Sequence, residues 1–328
     1  MSAPDGPYFD DLTVGQTLAP APTITIGAEQ CAVYDQICGD HLALPRSRPL
    51  AREVTGVDKT LVNPGLVIHM AIGQSTVATR HVIANLYYRG VRIRKHIAVG
   101  ATIGTTVEIA GLSEASRRVD RAPRGKVLLR MITTDETGDV VLDFERCALL
   151  PFRDPTVADS AHHQDLPGPE SALTLAEWRE WVPSGWDLGP LGPPSSWPTG
   201  ETRGDTHRHR VSRALDLVEL TQNQALAHRD PAFGQDGRRL VYGGHTIALG
   251  QDSLSRLLPN IATVIGWRSC DHLGPVFEDE TLECSATLVE WCPVASGRLL
   301  AFEVDVDVVR PGVEPQPVLD WQPVVYAP

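Results

Sequence analysis

Apolar positions along the chain form a pattern that occurs twice in the same order. Leu61–Val77, LVNPGLVIHMAIGQSTV, and Leu240–Leu254, LVYGGHTIALGQDSL, each carry an apolar pair, a glycine-containing turn and an apolar helical run that reaches Gly-Gln. Gly73-Gln74 and Gly250-Gln251 lie 177 residues apart. Val99–Ile103 and Glu278–Leu282 lie 179 residues apart, and strand-like alternation follows each, over Thr105–Leu112 and Glu283–Glu290. Each half then closes with two more predicted strands: Lys126–Asp135 and Asp139–Leu150 in the first, Arg298–Val309 and Val318–Tyr326 in the second. Glu136-Thr-Gly-Asp139 and Ala295-Ser-Gly297 supply hairpin-turn residues between them.

One early helix followed by long antiparallel strands, repeated, predicts an α+β chain of two fused hotdog domains, a double hotdog in which antiparallel sheets each wrap a central helix. A single such unit leaves a sheet edge open, and pairing two units closes it, so fusion does within one chain what a homodimer does with two. The expected division is an N-terminal hotdog domain over 1–155, a linker over 156–205 and a C-terminal hotdog domain over 206–328. Residues 154–205 are rich in Pro, Gly and Ser, with one short predicted helix at Leu173–Trp181. Their tryptophans, Trp178, Trp181, Trp186 and Trp197, are expected to pin the segment onto the domains by packing.

Composition narrows the function. The 328 residues are 42% hydrophobic and carry a formal net charge of −12, which speaks against nucleic-acid and anionic-membrane partners. An anionic small molecule then needs locally concentrated basic residues. Six cysteines show no C-x-x-C pair and no zinc spacing, so reduced core thiols are the simpler reading in a chain this long. The polar N-terminal residues give no secretory pattern and no apolar run reaches membrane length, so the expected location is cytoplasmic.

The candidate chemistry lies in Leu220–Pro231, LTQNQALAHRDP. Asn223 and His228 are spaced so that an amide and an imidazole can converge on one water across a helix-to-loop turn. The imidazole takes the proton and the amide holds the orientation. Tyr242-Gly243-Gly244-His245 follows and opens the apolar helix predicted over Thr246–Leu258. Free N–H groups and the positive dipole end of such a helix suit the enolate oxygen that develops when a thioester is attacked at its β-carbon. A histidine alone is as readily a loop or capping residue; the Asn, His and Gly-Gly grouping is what points to a site.

This segment resembles the MaoC-like dehydratases and R-specific enoyl-CoA hydratases, whose signature runs Gly-Asp-x-Asn-Pro-x-His-x-Asp and then an apolar stretch with a glycine turn. Phe9–Gly15 is similar to the usual opening of that family, and Gly39-Asp40 sits where the signature begins in the first half. Tyr242–His245, Ala84–Tyr87 and the spacing in Gly39–Leu44 resemble the mesaconyl-CoA hydratase (β-methylmalyl-CoA dehydratase) branch most. The resemblance implies a hydro-lyase acting on an acyl-CoA, with no metal and no cofactor beyond the CoA of the substrate, and possible assembly into homo-oligomers. Two departures stand out. Position 223, usually the catalytic Asp, is Asn, which accepts no proton, so the acid–base work falls to His228. In the first half Asp40 is present, but Pro45 stands where the His belongs, so one working site in the second half is expected.

Asp40 is therefore either a second site residue or an ordinary helix-end carboxylate. Arg92 and Arg94, alternating on a predicted strand, and Arg268 are either acid-paired surface charges or receptors for CoA phosphate or an acyl carboxylate. His69, His81 and His272 are expected to be structural. The expected reaction is reversible hydration of an enoyl-CoA or dehydration of a 3-hydroxyacyl-CoA, short and branched or dicarboxylic, such as mesaconyl-CoA. The alternatives are an acyl-CoA thioesterase, which wants an acidic base, and a non-catalytic acyl-CoA-binding protein, which the Asn223 and Pro45 substitutions would suit.

Overall fold

The computed structural model describes residues 5–156, 160–166, 173–294 and 296–328. Its first half contains β1 (Ile24–Thr25), α1 (Ala28–Cys38), α2 (Ala43–Arg46), α3 (Arg48–Thr55), α4 (Pro64–Ser75), β2 (Ala84–Ile93), β3 (Thr102–Glu114), β4 (Arg124–Asp135) and β5 (Val140–Pro151). The second contains β6 (Thr202–Gly204), β7 (His209–Arg210), α5 (Ala214–Leu220), α6 (Gly243–Leu257), β8 (Thr263–His272), β9 (Thr281–Val294), β10 (Gly297–Arg310) and β11 (Val313–Ala327). All ladders are antiparallel, in one sheet ordered β1-β3-β4-β5-β2-β8-β11-β10-β9-β6, with β7 also on β9. Read outward from the β2–β8 seam, both halves run in the same order, which is the double hotdog expected from the repeat.

The period-2 alternation of the strands puts one face of each sheet on a helix. In α4 every residue is buried, and in α6 the run Gly244–Ser255 is buried. Polar groups in these helices therefore need partners inside the protein. Gln74, for example, donates to the Pro22 carbonyl at 3.0 Å and accepts from the Thr105 hydroxyl at 2.7 Å. At the seam, Val91 pairs with Trp267 and Arg92 with Gly266. A Cβ on Gly266 would stand 1.9 Å from the Val91 carbonyl oxygen, so only glycine lets the strands meet there. Arg89 and Asp271 lock the seam through two hydrogen bonds of 2.8 and 2.9 Å.

The segment read as a linker is more structured at its end than its composition predicts, because Thr202–Gly204 adds an edge strand to the second-half end of the sheet. The helix predicted at Leu173–Trp181 is only a 3₁₀ turn at Glu177–Trp181. Trp178 is fully buried, packing edge-on to Trp181, and with Leu175 and Leu188 it packs on the second-half part of the sheet at Leu299, Ala301 and Val324. The hairpin turn at Glu136–Asp139 is present, whereas Ala295 of the other predicted turn lies outside the described residues. Among the described residues no helix is long and apolar enough to cross a membrane.

Candidate functional site

After α5 the chain cannot continue as helix. Gln222 takes a left-handed backbone conformation, and Asn223 turns the chain by accepting the Ala225 N–H on its Oδ1 at 2.9 Å. The loop is then tied to the first half: Gln224 N–H donates to the Thr76 hydroxyl at 2.9 Å, and Leu226 N–H donates to the Arg80 carbonyl at 2.9 Å. Arg229 closes it by donating to the Asn223 carbonyl at 2.7 Å. This short-range bonding brings Asn223 and His228, five positions apart in sequence, onto the wall of one cavity of about 260 Å³. The cavity lies between the halves, with Thr76, Thr79, Asn85, Tyr88 and Arg146 on one side and Asn223, His228, Tyr242, Gly243 and His272 on the other.

The imidazole of His228 lies 3.0 Å from the Leu240 carbonyl through Nδ1. A carbonyl only accepts, so Nδ1 carries the proton and Nε2 is left with the lone pair. Burial pushes its pKa down to about 4, and the Arg146 charge adds to the effect. The ring is therefore neutral near pH 7 and able to take a proton. Asn223 has its Oδ1 occupied by Ala225, so what it can present to a ligand is the amide NH2, a donor.

Helix α6 starts at Gly243, one turn earlier than its apolar pattern predicts, because Tyr242 in extended conformation serves as N-cap and Gly243-Gly244 form the first turn. No side chain caps this end. Its first N–H groups and the dipole of a 15-residue helix are thus available where Gly243 meets the cavity. The Gly243 Cα is pressed against His272: a Cβ there would fall 2.4 Å from the ring.

The remaining expected residues divide sharply. Tyr242 lines the cavity, its ring 5.7 Å from that of His228 and its hydroxyl 3.4 Å from His69 Nδ1. Gly244 instead faces the core, against the Tyr242 ring and His69, and His245 is buried behind the cavity wall. Both belong to the packing of the first turn.

Asp40 is not in the cavity. It is 1% exposed and its carboxylate accepts from the Leu42 N–H at 2.9 Å, Asn63 Nδ2 at 2.8 Å, Gln251 Nε2 and the Ser255 hydroxyl. Its oxygens are spent on holding loop and helices together.

The three arginines are also elsewhere. Arg92 holds Asp143 through two bonds of 3.1 and 2.5 Å, Arg94 stacks over Trp181, and Arg268 pairs with Glu290 at 2.6 Å. For them the acid-paired reading is the observed one: Asp143 on β5 serves Arg92 and Arg94, and Glu290 on β9 serves Arg268.

Two residues that sequence reasoning passed over are on the cavity wall. His272, expected to be structural, faces it from β8 with Nε2 unpartnered, and burial pushes its pKa down to about 4. Arg146 faces it from β5. The signal for Arg146 was its register: it alternates with Phe144, Ala148 and Leu150 on the buried face of the strand, where a charge is not expected without a reason.

No family model matches the chain. Two characterised relatives do: the β-methylmalyl-CoA dehydratase of Chloroflexus aurantiacus is 26% identical over 323 residues, 94% of this chain and 88% of that one. The mesaconyl-CoA hydratase of Cereibacter sphaeroides is 26% identical over 331 residues, 96% and 92% of the two chains. Among solved structures, a Mycobacterium tuberculosis protein described as a double hotdog superposes with a TM-score of 0.85 at 38% identity, covering 98% of both chains. A MaoC-domain dehydratase structure from Chloroflexus aurantiacus matches in fold at the same TM-score of 0.85 and 24% identity, over 100% and 99% of the two chains. With the repeat, the sheet order and these likenesses together, the chain is a double hotdog that is similar over nearly its whole length to CoA-thioester hydratases and dehydratases.

Proposed function

We propose that the cavity hydrates an enoyl-CoA, and in reverse dehydrates a 3-hydroxyacyl-CoA, with His228 as the proton-transfer group. The observation that carries this reading is the neutral imidazole with a free Nε2 beside an uncapped helix N-terminus. Asn223 NH2 orients a water on His228 Nε2. The water oxygen bonds to the β-carbon, its proton goes to Nε2, and the electron pair of the double bond moves to the thioester as an enolate. The Gly243 N–H and the α6 dipole stabilise that oxygen. The imidazolium then returns its proton to the α-carbon, so one water is added in all and the ring is regenerated. Water and the thioester supply every atom the scheme needs.

The acyl group is short and branched or dicarboxylic, as the named activities of the two characterised relatives suggest. Thioester hydrolysis is the weaker reading, since it wants a carboxylate as base or nucleophile, and Asp40, which would serve, is enclosed by four donors away from the cavity.

A panel of mesaconyl-CoA, itaconyl-CoA and crotonyl-CoA with their 3-hydroxyacyl counterparts tests the proposal. Loss of the enoyl absorbance with matching formation of hydroxyacyl-CoA is expected. Release of free CoA thiol in place of hydration, or tight binding with no turnover, would overturn it.

A further inference from the structure

Among the described residues two arginines are nearly fully buried, and they are treated in opposite ways. Arg89, 6% exposed, has Asp271 as a bidentate partner. Arg146, 4% exposed, donates to the Thr79 hydroxyl at 2.5 Å, its Nε has no partner, and none of the described acids forms an ion pair with it. Its other neighbours are the Tyr88 hydroxyl, Tyr242 and His228, none of them anionic beside a neutral imidazole. An unpaired buried guanidinium is costly, and removing the acid from beside it is not a shortage of acids in a chain that has 41 of them. The other half of the molecule shows what the fold does without it. In the β2–β5 ladder Tyr88 stands opposite Arg146, and in the corresponding β8–β11 ladder Trp267 stands opposite Pro323. The repeat therefore does not require an arginine at this register; the cavity has one that its counterpart lacks.

We propose that Arg146 is the receptor for a second carboxylate, at the far end of the acyl group, and that it selects dicarboxylyl thioesters over monocarboxylyl ones. This rests on the cavity being the acyl-CoA site of the preceding section. Arg146 sits in mid-strand on the cavity wall, close enough to His228 for its charge to act on that ring, and its side chain is closed to bulk solvent. The CoA phosphates sit a pantetheine arm away from the thioester, toward solvent, so the anion that reaches Arg146 belongs to the acyl chain. A planar guanidinium with free N–H groups matches a carboxylate fork and completes its hydrogen bonding when substrate arrives.

Binding of succinyl-CoA and butyryl-CoA tests this without relying on turnover, since they are saturated thioesters of equal chain length ending in a carboxylate and a methyl. The unmodified protein is expected to bind succinyl-CoA about ten- to a hundredfold more tightly, the range for one buried charge-assisted contact. In Arg146→Gln that ratio is expected to collapse toward one, and Arg146→Lys, which keeps the charge without the fork, to recover part of it. No preference in the unmodified protein, or a preference that persists in Arg146→Gln, overturns the assignment. If Arg146→Gln does not fold, the ratio in the unmodified protein and in Arg146→Lys still decides, because an unchanged ratio in the latter removes the fork from the explanation. Selective succinyl-CoA binding with no hydration of any enoyl-CoA would leave this inference standing and sink the hydratase. Hydration that ignores the carboxylate would do the reverse.

Discussion

The two halves place the same loop against the same helix end and finish it differently. Arg46 donates to the Asp40 carbonyl at 3.0 Å just as Arg229 donates to the Asn223 carbonyl at 2.7 Å. The Leu42 N–H meets Asp40 Oδ1 at 2.9 Å, and the Ala225 N–H meets Asn223 Oδ1 at 2.9 Å. Past this shared frame they diverge. The first-half helix α4 opens with Pro64, which has no N–H, and Asn63 caps Gly65 N–H at 2.8 Å. Asp40 is closed in by Asn63, Gln251 and Ser255, and Pro45 occupies the place of His228. The second-half helix opens with no side-chain cap and with Gly243 at the wall of the cavity. One end is filled with satisfied hydrogen bonds and serves stability; the other leaves donors and a lone pair free for a ligand.

The sharpest break of this contrast is His228→Gln. The amide keeps a polar group of similar reach but neither accepts nor returns a proton. Hydration is expected to fall by about 10²- to 10⁴-fold, the contribution of a positioned general base, measured as turnover of the best enoyl-CoA at saturation. Pro45→His, alone or added to His228→Gln, is expected to add no activity, because its helix end is already capped and its loop is filled. Activity regained in the double variant would show that the closed end is a dormant site.

Asp40→Asn attacks the closed end. Its carboxylate faces only donors, so the amide NH2 of Asn must point at one of them, leaving two donors against each other in a buried site. A loss of about 1–3 kcal/mol of folding stability is expected, read from denaturant midpoints, with turnover per folded molecule unchanged. A fall in turnover with stability intact would return Asp40 to the site.

How much of this was legible in the sequence follows the range of the forces involved. The repeat and the sheet strands rest on periodicity and match the fold, and Asn223 and His228, within a few positions of each other, lie on one cavity wall. The start of α6 was displaced because glycines signal a turn, and only the extended Tyr242 backbone makes Gly243-Gly244 the first turn of the helix. Arg92, Arg94 and Arg268 stood out as local charge, but the acids that neutralise them come from other strands, Asp143 from β5 and Glu290 from β9. Arg146 was hidden for the same reason in reverse: what matters about it is an acid that is missing from its surroundings. Asp40 matched a motif by position, and its burial by Gln251 and Ser255 from the other half could not be read locally.

The smallest expected effect concerns pH and stability. Burial holds His228, His245 and His272 at about 4, against 6.5 for a free imidazole. For each, the unfolded chain binds a proton at a higher pH than the folded one does. Their neutral burial therefore weighs nothing against folding above pH 6.5, and stability falls as pH drops from 6.5 toward 4, where the unfolded state takes up protons that the folded state refuses. Asp252, raised to about 6 by burial, works the other way, because its folded form holds a proton that the unfolded form has lost. It partly offsets the decline between pH 6 and 4. His228→Gln removes one proton from this balance, so its stability should decline less steeply than that of the unmodified protein over the same window. Parallel curves would mean that His228 takes up its proton in the folded protein as readily as in the unfolded chain, so that burial is not what keeps the ring neutral as the pH falls below 6.5.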